Sequence, residues 1–111
     1  MSTITVEQGS GNVYADLGMA DAQEMLVKAK LAGKIGDIIK RQNLTQQQAA
    51  ELLAMPQPKV SMLLRGQFRG ISEAKMLECL ARLGRDIDIV VKPARRRAVA
   101  GVAGRVNVVF A

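Results

Sequence analysis

Four glutamines, Gln46, Gln47, Gln48 and Gln57, fall within twelve residues of the stretch "LTQQQAAELLAMPQPKVSMLLRG", residues 44–66. A side-chain amide donates and accepts at once, so it can match adenine N6 and N7 on the edge of a base pair. Catalysis has far less to work with. The chain has no histidine, which removes the commonest general base and the usual metal ligand. Its acids show no spacing that suggests a catalytic pair. "GKIGDIIK", residues 33–40, lacks the GxxxxGKS/T pattern of a phosphate loop and lies inside a helical period. The single cysteine, Cys79, cannot make an internal disulfide and reads as a small buried hydrophobe. An enzyme is therefore the poorest reading, and neither a cofactor nor a metal is expected.

Charge points the same way as the amides. The net charge is +6, unevenly spread. Residues 1–27 hold Glu7, Asp16, Asp21 and Glu24 and no Lys or Arg, a charge of −4. The remainder sets 16 Lys and Arg against 6 acids, a charge of +10. A basic body of this kind is an electrostatic footprint for polyanions, although a solvated basic surface is the plainer alternative. An RNA-associated protein with "PARRRAVAGVAGR" as a basic tail would need aromatics for base stacking, and Tyr14, Phe68 and Phe110 are scattered. No apolar run approaches the ~18 residues of a membrane span. "MSTITVEQGSG" does not read as a secretory signal, so a cytoplasmic protein is expected.

These residues need elements to position them. At 111 residues one domain is expected, with an aliphatic core, since aromatics are 3% of the chain. Residues 1–20 read as an arm, broken at Gly9, Ser10, Gly11 and Asn12. Asp21 reads as an N-cap, with Glu24 completing a capping box, and a helix then runs to about Gln42. Its apolar positions recur at helical spacing: Met25, Ala29, Ala32 and Ile39, with Leu31, Ile35 and Ile38 alongside. Gly33 and Gly36 mark either a weak helix or a close helix crossing. Thr45 and Gln48 form a second capping box, and Leu44 and Ala49 have the spacing of a hydrophobic staple. That helix spans about 45–53. A third runs from about Gln57 to Leu64, tolerating Pro58 in its first turn, and Gly66 ends it. Ser72 caps a fourth, with Glu73 in its first turn, Met76, Leu77, Leu80 and Leu83 inward, and Gly84 as its stop. "DIDIVVKP" and "RVNVVF" then alternate as strands around the basic linker "ARRRAVAGVAG". Both strands are too short to stand alone. They can pair as a hairpin or add to a partner chain.

Two short helices joined by a tight turn form a helix-turn-helix, whose second helix enters the DNA major groove with its first turns at the base edges. The stretch resembles the lambda-repressor-like motif of the XRE (xenobiotic-response-element) regulators. Leu44, Gln46, Ala50, Met55, Gln57, Val60, Leu63 and Gly66 match that pattern without a gap. The resemblance implies that Gln46 contacts a phosphate and that Gln57 reads a base. Ala50 then allows the close helix crossing, and Val60 and Leu63 face the core. Lys59, Ser61, Met62 and Arg65 match outward positions near DNA, and Thr45 and Arg69 complete the expected DNA contacts. Two departures stand out. Ala54 occupies a turn position where the family often has Gly, and Pro56 replaces the usual capping Ser, which makes Gln57 the candidate cap.

A longer likeness covers "GNVYADLGMADAQEMLVKAKLAGKIGDIIKRQNLTQ", "QPKVSMLLRGQFRGIS" and "LGRDIDIVVKP". It is similar to a subgroup of small XRE proteins encoded beside toxins resembling ribosome-dependent nucleases. The likeness implies an antitoxin that represses its own operon. A stand-alone or phage-derived repressor is the alternative. The expected architecture is mainly α: an arm (1–20), a helix-turn-helix domain of four to five helices (21–84), and C-terminal β-strands with a basic linker (85–111), the last serving dimerisation. The expected partners are double-stranded DNA, a second copy of the chain, and a toxin protein contacted through Tyr14 and Leu17.

Overall fold

The computed structural model describes residues 13–94 and 104–111, with side chains from residue 21 onward among the first of these. Four helices follow one another: α1 (Val13–Arg41), α2 (Gln46–Leu53), α3 (Gln57–Leu64) and α4 (Glu73–Arg82). The chain divides into two compact units. One comprises residues 28–88, and the other joins residues 1–27 with 89–111.

The helix starts follow the capping chemistry, with two corrections. Thr45 caps α2, its hydroxyl accepting from the Gln48 N–H at 3.1 Å while its own N–H donates to Gln48 Oε1 at 2.9 Å. Ser72 caps α4 by accepting from the Lys75 N–H at 3.0 Å. The first correction concerns α1, which starts at Val13 rather than Asp21. Residues 13–20 are thus helical, not arm, while the earlier part of the arm lies outside the described residues. Asp21 and Glu24 satisfy the local spacing of a capping box, yet a helix that already runs past them has no free amides there to cap. The second concerns α3: Pro56 is the N-cap residue, no side-chain cap bond is present, and Gln57 is simply the first helical residue. The N–H groups of Lys59 and Val60 both reach the Pro56 carbonyl, so the turn closes on backbone alone.

All four helices stop in the same way. A residue at positive φ follows each: Asn43 at 55°, Ala54 at 55°, Gly66 at 81° and Gly84 at 88°. The next N–H then bonds back five residues, Leu44 to Ile39, Met55 to Ala50, Gln67 to Met62 and Arg85 to Leu80, at 2.8–3.1 Å. This is the left-handed closure that satisfies otherwise orphaned terminal carbonyls. Glycine reaches it without strain, whereas alanine at 54 does so against its Cβ.

The core of residues 28–88 is aliphatic. Leu31, Ala32, Ile35, Ile38 and Ile39 of α1 are buried, as are Ala49, Ala50 and Leu53 of α2, Val60 and Leu63 of α3, and Met76, Cys79 and Leu80 of α4. The inward stripe is thus shorter than its sequence pattern: Ala29 is exposed, and Met25 and Leu77 are only half-buried. Gly36 does mark a close approach, since a Cβ there would stand 3.4 Å from Leu64 Cδ2, but Gly33 meets nothing within 4 Å.

The expected C-terminal strands are absent among the described residues. Residues 85–94 and 104–111 carry no regular structure. A strand exists through its ladder of bonds to a neighbouring strand, and no strand is assigned among the described residues. Ile89, Val90 and Val91 are 78%, 74% and 89% exposed, so both faces of the alternating run meet solvent.

Candidate nucleic-acid interface

The interface is built on the α2–α3 pair. Eight residues of α2, a three-residue turn (Ala54, Met55, Pro56) and eight residues of α3 follow without a break. Met55 anchors the turn. It is buried, and the Cys79 thiol lies 3.5 Å from its sulfur, which ties the turn to α4. Burial also raises the Cys79 thiol pKa above its ordinary value, so this sulfur stays protonated and serves packing.

α3 is split by its burial. Val60 and Leu63 are 0% and 2% exposed. Gln57, Pro58, Lys59, Met62 and Arg65 are exposed, and Ser61 is half-buried. Lys59, Met62 and Arg65 recur at three-residue spacing, with Pro58 four residues before Met62, and Gln57 opens the first turn beside them. No acid lies on α3. With Arg65 at its C-cap, the surface therefore offers an amide, a thioether and two cations, a set suited to base edges and phosphates. Arg65 also donates to Gln67 Oε1 at 3.5 Å, a long contact on an exposed surface.

Of the other residues expected at DNA, Gln46 opens α2 and is exposed, and Arg69 is exposed in the loop between α3 and α4. Thr45 is committed to the capping box as an acceptor, although its hydroxyl hydrogen is still available to donate. Gln48 is likewise spent on the cap. All four glutamines are exposed, and one of them, Gln48, is committed to the cap. Tyr14 and Leu17 lie on α1, and their side chains are outside the described residues. The residue that sequence reasoning missed is Lys28. It is buried, and its Nζ donates to the Arg69 carbonyl at 3.0 Å. A lysine on a helix otherwise reads as solvated, and nothing in the local pattern singles it out.

No group of three or more His, Cys, Asp or Glu side chains that would hold a metal occurs among the described residues. Nor is any of their helices long and apolar enough to cross a membrane.

A helix pair with a three-residue turn, a buried inner face and a polar, cationic outer one defines a helix-turn-helix protein. A family model for a helix-turn-helix domain matches residues 13–92. A solved structure named, provisionally, as an XRE family transcriptional regulator is similar at 35% identity and a TM-score of 0.73. The match covers 82% of this chain and 99% of that one. No curated protein matches. The chain belongs to the XRE family of helix-turn-helix transcriptional regulators. DNA binding in the service of transcriptional regulation is its activity at that level.

Proposed function

We propose that the protein is a sequence-specific repressor that reads its operator through α3, works as a homodimer, and is the antitoxin of a toxin–antitoxin operon. The observation that carries the reading is the division of α3, with Val60 and Leu63 sealed in the core and Gln57, Lys59, Met62 and Arg65 outside. Gln57 and Met62 read base edges. Lys59, Arg65 and Arg69 meet phosphates, with Gln46, Thr45 and Ser61 as shorter polar contacts. Titrations of operator and random duplexes by fluorescence anisotropy, at several salt concentrations, test this assignment. Lys59→Ala lowers affinity for both duplexes and shrinks the salt slope by about one unit. Gln57→Ala and Met62→Ala cost roughly 1–3 kcal/mol on the operator and little on random DNA. Operator binding by both variants as tight as the parent's would show that α3 is not the reading helix.

Dimerisation is supported by the exposed apolar run Ile89–Val91, which a second copy would cover by strand pairing across residues 86–92. Symmetric operators also suit two-fold proteins. Light scattering reporting a strict monomer at tens of micromolar would remove this part. The antitoxin role is supported by the charge division, −4 over residues 1–27 against +10 beyond, because a nuclease toxin that binds RNA is basic. Tyr14 and Leu17 then lie among the acids that meet it. A chain lacking residues 1–20 that neutralises the adjacent gene's product with unchanged affinity would refute that contact.

A further inference from the structure

The loop from Gly66 to Ser72 leaves the recognition helix and enters α4. Its two ends are fixed by their own backbone: the Gln67 N–H bonds the Met62 carbonyl at 2.8 Å, and the Ile71 N–H bonds the Phe68 carbonyl at 2.9 Å. Ile71 is buried, while Gln67, Arg69 and Gly70 are exposed. Between those anchors the Arg69 carbonyl accepts from Lys28 Nζ at 3.0 Å, across 41 residues of sequence. Lys28 is 5% exposed and is the buried charged residue of the described chain. Taking an ammonium out of water is costly unless its donors are matched, and a methionine would fill the same space at no such cost. A lysine at this place therefore points to its hydrogen bond rather than to its bulk.

We infer that Lys28 is a positioning residue of the DNA interface: its buried ammonium holds the Arg69 carbonyl and so sets the α3–α4 loop where Arg69 meets a phosphate. The inference rests on the DNA reading given above. It gives α1, which carries no expected DNA contact, a part in the affinity that acts through Arg69. A loop tethered at its centre loses little further freedom on binding, whereas an untethered one must be ordered at that moment, at the expense of affinity.

The test is a double-mutant cycle on the full chain. Parent, Lys28→Met, Arg69→Ala and the double variant are titrated on operator and random duplexes at several salt concentrations, below the melting temperature of each. Arg69→Ala is expected to lower affinity several-fold on both duplexes and to shrink the salt slope by about one unit. Lys28→Met is expected to do the same, and the double variant to lose no more than either single one, because both remove one contact. Lys28→Arg, which keeps charge and donors, is expected to retain the parent slope. If Lys28→Met does not fold, Lys28→Gln, which shortens the donor without enlarging the side chain, takes its place in the cycle. A lysine variant that melts lower but keeps the parent slope, or whose loss simply adds to that of Arg69→Ala, would overturn the positioning role alone. So would an Arg69→Ala variant with the parent slope, since there would be no contact to position. A parent chain that binds neither duplex would overturn this role together with the DNA reading.

Discussion

Replacing Ala54 by glycine should stabilise the protein. Ala54 ends α2 at φ 55° and ψ 46°, a left-handed conformation in which Cβ crowds the following carbonyl. The strain is about 1–2 kcal/mol for a residue with a Cβ. Ala54 is exposed, so removing its methyl forfeits little packing. Glycine brings a counter-term, because it makes the unfolded chain freer by about 0.4–1 kcal/mol. The difference leaves about 0.5–1 kcal/mol in favour of Ala54→Gly. For a domain of roughly 100 residues that raises the melting temperature by about 2–8 °C. Gly66→Ala supplies the mirror experiment. Its φ is 81°, and a Cβ there would touch nothing within 4 Å, so conformational strain alone should lower stability by about as much as Ala54→Gly raises it. Calorimetry or circular dichroism melts of the three proteins give the comparison. Operator affinity of Ala54→Gly should match the parent, since the turn already has this geometry. A lower melting temperature for Ala54→Gly would refute the strain argument.

Other substitutions probe different terms. Gly33→Ala should raise stability by roughly 0.5–1 kcal/mol through helix propensity, and Gly36→Ala should gain less, because its Cβ would press on Leu64 at 3.4 Å; paired melts compare them. Cys79 should react with a thiol reagent only as fast as the protein unfolds, even in mild alkali, since burial removes access and raises its pKa; reaction rates with and without urea check this. Glu78 lies below its ordinary pKa of 4.5, through its hydrogen bond from Arg82 first and the charge of Lys75 second. Its stabilisation is therefore complete above that value and fades as pH falls through the lower folded one. Glu78→Gln should melt slightly below the parent at pH 7, and the gap should close in acid. The effect is small, because the carboxylate is solvated.

Most of the helical body was legible in the sequence because its punctuation is local chemistry. Thr45 with Gln48, Ser72, Gly66 and Gly84 each act within a few residues, and all four sit where the pattern places them. The ungapped match from Leu44 to Gly66 likewise places Val60 and Leu63 inward. Asp21 misled because a capping box and an ordinary helical Asp-x-x-Glu are the same letters. What separates them is whether the preceding backbone is already helical, and the short apolar patch around Tyr14 does not announce that. Lys28 was hidden for the opposite reason: its partner is a carbonyl 41 residues away, and a backbone acceptor has no sequence signature.

The C-terminus shows the remaining limit. Alternation in "DIDIVV" records which faces a strand would offer, and says nothing of who supplies the ladder. Burial of alternate residues requires a sheet on which to lie, and a run of six residues gains too little from pairing to hold a hairpin by itself. The run carries no regular structure, and Ile89, Val90 and Val91 are in solvent. Three consecutive exposed β-branched residues form an edge that natural proteins normally blunt or cover. The charges beside it, Arg85, Asp86 and Asp88 before and Lys92 after, flank the run without interrupting its apolar centre. In an antiparallel pairing of two identical runs the acids of one chain approach the lysine of the other, so the same residues that discourage open-ended stacking favour a closed pair. The alternating pattern, and the lack of a strand among the described residues, are what the proposed pairing of two copies would reconcile.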